Sequence, residues 1–148
     1  MMPSHPQHPS QLTVAEMPAD CNNAPRKIVL RDFLISLYDL DLQGVLDRLH
    51  DDVEWHIIGE SRLAGHDGAA AWLAEQPAGD QLTVHTVITH GTDCGADGVI
   101  SYTDGRRHAF SHVVIFAGHS KTAKIKAIRS YLVDLQEDAD DGTGPLHR

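Results

Sequence analysis

Eleven histidines in 148 residues is a high count. Histidine is the side chain whose ordinary pKa lets it take and give a proton near neutrality. The eleven do not qualify equally. His5, His8 and His147 lie in end segments without a sustained hydrophobic period, and His119 falls in the turn Ala117-Gly118-His119-Ser120. His50 ends a helical stretch, where a cation answers the helix macrodipole. His66 precedes a helix cap. His56, His85, His108 and His112 remain, all in strand-like segments, as candidate acids, bases or hydrogen-bond donors. Strand alternation puts His108 and His112 on one face with Phe110, Val114 and Phe116, with His108 near the hairpin end and open to solvent. His85 shares a face with Val87.

Other chemistries lack their patterns. There is no zinc-spaced cysteine pair, no H-E-x-x-H and no H-x-H, so no metal ion is expected. G-x-S-x-G and the Walker sequence are absent, and no cofactor is expected. Trp55 and Trp72 read as core and helix-packing residues before they read as a cofactor platform. The two cysteines, Cys21 and Cys94, make no disulfide framework and fit a reducing, cytoplasmic setting. The formal net charge is -9, which disfavours nucleic acid as a partner. Much of that charge sits at the ends, in Glu16, Asp20, Glu137, Asp138, Asp140 and Asp141. Lys121, Lys124 and Lys126 read as a guarded strand edge. No apolar run reaches the roughly 20 residues of a membrane span, so no membrane partner is expected.

The elements that must position these residues follow from periodicity. Pro25 opens a helix that carries Leu30, Phe33, Leu34 and Leu37 on one face. Asp41 caps a second helix with Leu42, Val45, Leu46 and Leu49 in line. Residues 52–58 form a strand closed by Gly59, and Asp67 caps a third helix through Leu73. Thereafter the period is two, giving strands over 82–92, 99–103, 107–117 and 123–135, with Asp104-Gly105 as a tight hairpin. The expected class is α+β: a strongly bent, mostly antiparallel sheet packed on three N-terminal helices and enclosing a cavity. Residues 1–25 and 136–148 read as a flexible leader and an acidic tail around a domain over 26–135.

The runs Asp52-Val53-Glu54-Trp55-His56-Ile57-Ile58-Gly59 and Leu63-Ala64-Gly65-His66-Asp67-Gly68, with Ile128-Arg129-Ser130-Tyr131-Leu132 near the end, carry a resemblance. They resemble the nuclear-transport-factor-2-like superfamily, in particular its SnoaL-like branch, related to polyketide cyclases and ketosteroid isomerase. The resemblance implies a cone with an apolar pocket, and a homodimer formed through the outer sheet face. It implies His56 as a proton-abstracting base on the first strand, and His112 as a donor to an oxyanion on the penultimate one. Asp39, which closes the first helix after Tyr38, resembles the acid that orients a pocket histidine in dehydratase-like members. Its alternative is a helix-end role beside Asp41. The epoxide-hydrolase members are a poorer match, because no R-x-D occurs and Ser130 stands where their last-strand acid would be. Trp55, Phe110, Val114, Phe116 and Ile128 are the apolar wall candidates, and Tyr38, Ile58 and Ser130 complete the expected substrate-binding set.

Two function classes stay open. One is a cofactor-independent lyase or isomerase, dehydratase- or cyclase-like, acting by histidine acid–base chemistry on a small apolar carbonyl or hydroxyl compound. The other is a non-catalytic ligand-binding or dimerisation domain.

Overall fold

The structure, a computed structural model, describes residues 11–19 and 24–136. The ten-residue start, residues 20–23 and the tail from 137 lie outside the described residues, and with them most of the expected leader and tail. The chain order is β1 (Thr13–Glu16), α1 (Pro25–Tyr38), α2 (Leu42–Leu46), β2 (Leu49–Ile57), β3 (Ser61–Ala64), α3 (Gly65–Leu73), β4 (Gly79–His90), β5 (Asp93–Tyr102), β6 (Arg107–Phe116) and β7 (Ile125–Asp134). The strands form one open, seven-stranded mixed sheet in the order β1-β4-β5-β6-β7-β2-β3. The expected α+β class with three helices holds.

Pro25 occupies the first turn of α1, where its missing N–H costs nothing. The helix ends in a Schellman closure: Asp41 N–H donates to Ser36 O, and Leu40 N–H to Leu37 O. Leu40 takes the left-handed position at φ 57°, a place that glycine usually fills. Asp41 caps α2 through the Gly44 N–H, as expected. That helix is a single short turn, and Leu49 begins β2 instead of continuing it.

Two strands have no counterpart in the sequence reading. β3 forms a hairpin with β2 through the turn at Gly59, whose φ of 78° suits glycine. β1 pairs in parallel with β4, with Thr13 opposite Gln81 and Val14 opposite Leu82. Each is four residues long, too short to show a period. β5 starts at Asp93, earlier than residue 99, because Gly95 and Gly98 interrupt its apolar alternation. A side chain at Gly98 would run into the Thr83 carbonyl oxygen and come 2.9 Å from the Phe110 ring, so the strand crosses there only as glycine.

The helices cover one sheet face. Leu30, Phe33, Leu34 and Leu37 of α1 meet Trp55, Leu82, Ile100, Val114 and Ile128 in a single core. The other face carries the exposed Ile88 and Val133 and the half-exposed Tyr131.

Candidate functional site

Four elements bring their polar groups to one buried point. Tyr38 is the last residue of α1. His112 sits in the middle of β6, and Phe110 and Val114, its neighbours on that face, are buried with it. The β6–β7 register places Ser130 directly opposite His112. Trp55 comes from β2, which runs parallel to β7.

The four side chains form one chain of hydrogen bonds. Trp55 Nε1–H donates to Ser130 Oγ at 2.9 Å, Ser130 Oγ lies 2.7 Å from His112 Nδ1, and His112 Nε2 lies 2.8 Å from the Tyr38 hydroxyl. Phe110 stacks on the imidazole with ring centroids 5.2 Å apart. Burial pushes the His112 imidazole down to about 4, so it is neutral at physiological pH. Burial, with the neighbouring Tyr102, pushes the Tyr38 phenol well above its ordinary value, so it keeps its proton.

The indole sets the direction of this chain. An indole N–H only donates. Ser130 must accept from Trp55, and its own hydrogen then needs an acceptor. His112 Nδ1 is the one within reach. Nε2 therefore carries the imidazole proton and donates it to the Tyr38 oxygen. Each tautomer leaves one hydroxyl hydrogen without a protein partner: the opposite one strands that of Ser130, and this one strands that of Tyr38, which lines a cavity large enough for an acceptor such as water. The Tyr38 hydroxyl hydrogen is the free end of the chain.

Tyr38 and His112 line a cavity between the α1–α2 turn, α3 and the sheet, closed by Leu40, Trp72, Tyr102 and Leu132. Its volume is about 10 Å³, near the smallest that holds one water. Trp72, which also lines the cavity, donates its Nε1–H to Glu60 Oε2 at 2.8 Å. A second polar series reaches the cavity through Tyr102. Its hydroxyl lies 2.8 Å from His108 Nδ1, and His108 Nε2 lies 2.7 Å from Asp134 Oδ1.

The structure thus brings together Tyr38, Trp55, His112 and Ser130. It does not bring His56 to them. Val53, Trp55 and Ile57 of β2 are buried, so His56, between two of them, points out of the opposite face. Adjacent residues of one strand cannot both face the cavity, and the core takes the larger Trp55. His56 instead lines an open outer groove of about 360 Å³ with Glu54, Arg62 and Arg129. Asp39 does not orient His112, whose two nitrogens are taken by Ser130 and Tyr38; it is the C-cap of α1. Ile58 follows the last inward residue of β2 and is exposed. Val114, Phe116 and Ile128 are buried in the core away from the cavity lining, and Phe116 carries the Arg26 guanidinium 4.1 Å above its ring.

Sequence reasoning missed Leu40, Trp72, Tyr102, Leu132 and Asp134. The signal for Tyr102 was present: the hairpin at Asp104-Gly105 sets it beside His108. Among the described residues, no group of three or more His, Cys, Asp or Glu is placed to hold a metal ion. Among the same described residues, no helix is long and apolar enough to cross a membrane.

No family model matches the chain, and no curated protein matches it. Solved structures do. The chain is similar to an NTF2-like protein of unknown function from Burkholderia xenovorans LB400, at 18% identity and a TM-score of 0.65, covering 78% of this chain and 88% of that one. It is similar to a protein with a ketosteroid isomerase-like fold from Catenulispora acidiphila DSM 44928, in complex with trimethylamine. There the identity is 9% and the TM-score 0.59, over 71% of this chain and 85% of that one. It is also similar to an LEH-like epoxide hydrolase from M. tuberculosis, at 20% identity and a TM-score of 0.54, over 71% of this chain and 80% of that one. Fold and neighbours agree: the chain has the nuclear-transport-factor-2-like fold.

Proposed function

We propose that the chain is a small-molecule pocket protein of SnoaL-like type, which binds a small apolar carbonyl or hydroxyl compound by its oxygen. The observation that carries this is the directed chain from Trp55 through Ser130 and His112 to Tyr38. It ends in a phenol hydrogen with no protein partner of its own, at a cavity that Tyr38 lines together with Leu37, Leu40, Leu73 and Leu132. Such a donor suits a ligand oxygen, and it suits even better an oxygen on which negative charge develops, as in a lyase or isomerase reaction. His112 serves as the neutral orienting group in this reading. The base role expected of His56 has no place in this cavity. Entry of a ligand requires the Leu40, Trp72 and Leu132 side chains to part.

The test is a titration with 2-tetralone, an apolar ketone, followed by tryptophan fluorescence, since Trp72 lines the cavity. Saturable quenching is expected. Tyr38→Phe should weaken binding by about two- to tenfold, the worth of one hydrogen bond. No binding contradicts the pocket reading. Equal binding by the variant contradicts the role of Tyr38.

The cavity volume of about 10 Å³ favours a second reading, a dimerisation domain with a filled interior. In either reading the chain is proposed to form a homodimer through its outer sheet face, where Ile88 and Val133 stand 61% and 59% exposed.

A further inference from the structure

We propose that Tyr102, His108 and Asp134 form a proton relay from the cavity to solvent, with the Tyr102 phenol oxygen as the group that takes a proton from the bound compound. The proposal rests on the pocket reading above and adds the base that reading lacks.

The placement comes from topology. Tyr102 ends β5 and His108 is the second residue of β6, across the tight turn. His108 faces Asp134 in the β6–β7 register. The imidazole meets the phenol edge-on at 5.2 Å, within hydrogen-bond distance on one side, and reaches the carboxylate on the other. Exposure rises along the series. Tyr102 is 6% exposed, the His108 side chain 18% and the Asp134 side chain 85%. One end lies in the cavity and the other in water.

Polarity again follows from a group with a fixed role. A carboxylate only accepts, so His108 Nε2 carries its proton toward Asp134 and Nδ1 is left as an acceptor. Tyr102 then donates its O–H to Nδ1 and turns its oxygen lone pairs to the cavity. Tyr38 and Tyr102 line the same cavity with opposite roles, donor and acceptor. This pairing fits a carbon acid next to a carbonyl.

The step balances without a redox partner. The ligand C–H bond breaks and its electron pair moves into the carbonyl, forming an enolate oxygen that Tyr38 O–H holds. The proton goes to Tyr102 Oη as the phenol's own proton passes to His108 Nδ1. The resulting imidazolium pairs with Asp134 and releases its Nε2 proton to water. Reversal returns a proton to the same carbon or to a conjugated one. Tyr102 is the catalytic residue; His108 and Asp134 are positioning and relay residues.

The experiment follows α-hydrogen exchange of 2-tetralone in D₂O by NMR, in wild type and in Tyr102→Phe and Asp134→Asn, each with its own binding titration. Exchange at saturation should fall on the order of 100-fold in Tyr102→Phe. It should fall about tenfold in Asp134→Asn. In each variant the loss should appear in the exchange rate of the saturated protein, beyond any change in its binding titration, a split that a merely structural loss would not produce. Long-range ¹H–¹⁵N spectra of the ligand-free protein should show His108 protonated on Nε2. The relay is overturned if Tyr102→Phe exchanges at the wild-type rate, if wild type binds tetralone without exchange above buffer, or if Nδ1 of His108 carries the proton. Absence of tetralone binding overturns the pocket reading instead, and the His108 spectrum still decides the relay's direction.

Discussion

The hydroxyl of Tyr38, at the end of the first helix, lies 2.8 Å from Nε2 of His112, in the middle of a strand 74 residues further on. The contact ties helix to sheet through a buried polar pair in an apolar core, an arrangement that is costly unless every member is satisfied. Ser130 and His112 each make two of its bonds.

Replacing Ser130 with alanine strands both the Trp55 N–H and the His112 Nδ1. Tyr38→Phe strands only the His112 Nε2–H. At about 1–3 kcal/mol for each unsatisfied buried group, Ser130→Ala should cost roughly twice what Tyr38→Phe does. Urea unfolding of the two variants and the double variant measures this. The double variant should lose less than the sum, because the residues belong to one chain. Strict additivity would mean the bonds are independent.

The protonation of His112 gives a stability slope with a fixed sign. Burial lowers its pKa to about 4 in the folded protein, from the ordinary value of 6.5. Between those values the unfolded chain binds a proton that the folded one refuses, so stability falls as pH falls. The contribution is intact above the unfolded value and lost progressively toward pH 4, on the order of 3 kcal/mol in all. Urea midpoints of wild type at pH 7.5, 6.5, 5.5 and 5 should decline. His112→Asn, which still donates and accepts, should flatten the part of that decline above pH 5. An unchanged slope in the variant would assign it to other groups.

The fold was legible because its long elements are periodic: α1 by Leu30, Phe33, Leu34 and Leu37, and β6 by alternate inward residues. Where the signal was short it failed, at Thr13–Glu16 and Ser61–Ala64. The site was half legible. His112 could be placed beside Phe110 and Val114 by alternation alone. His56 was misassigned because a likeness in residue order does not say which of two neighbours, Trp55 or His56, faces inward; burial energy decides, and the indole has far more apolar area to bury. The Asp104-Gly105 hairpin already set Tyr102 beside His108, whereas Asp134 depends on the β6–β7 register, which no single segment reveals. Leu40 lines the cavity from the left-handed position of a Schellman closure, which no hydrophobic period signals.

The Glu60–Trp72 bond anchors an indole that lines the cavity. Glu60→Ala should free the indole to move. Stopped-flow fluorescence should then show tetralone binding faster than in wild type, by a few-fold, with thermal stability nearly unchanged, since exposed bonds of this kind contribute little. A wild-type association rate would place the entry elsewhere.

The exposed Ile88 and Val133 on the outer face make a test of assembly simple. Light scattering at micromolar concentration should return the mass of two chains. Val133→Lys, on an exposed position of that face, should shift the mass toward one chain without loss of the folded spectrum. A wild type that is monomeric under the same conditions contradicts the dimer.

The central claim is that a donor-only indole sets the direction of the buried chain and leaves Tyr38 with a hydrogen to give. The His112 tautomer reports this directly. Long-range ¹H–¹⁵N correlation spectra at pH 7, with His112 assigned by comparison with His112→Asn, should show a neutral ring protonated at Nε2 and bare at Nδ1. A neutral ring with its proton on Nδ1 would mean that Tyr38 donates to His112 and has no hydrogen to offer a ligand in the cavity. A doubly protonated ring would contradict the neutral His112 on which the chain's direction rests.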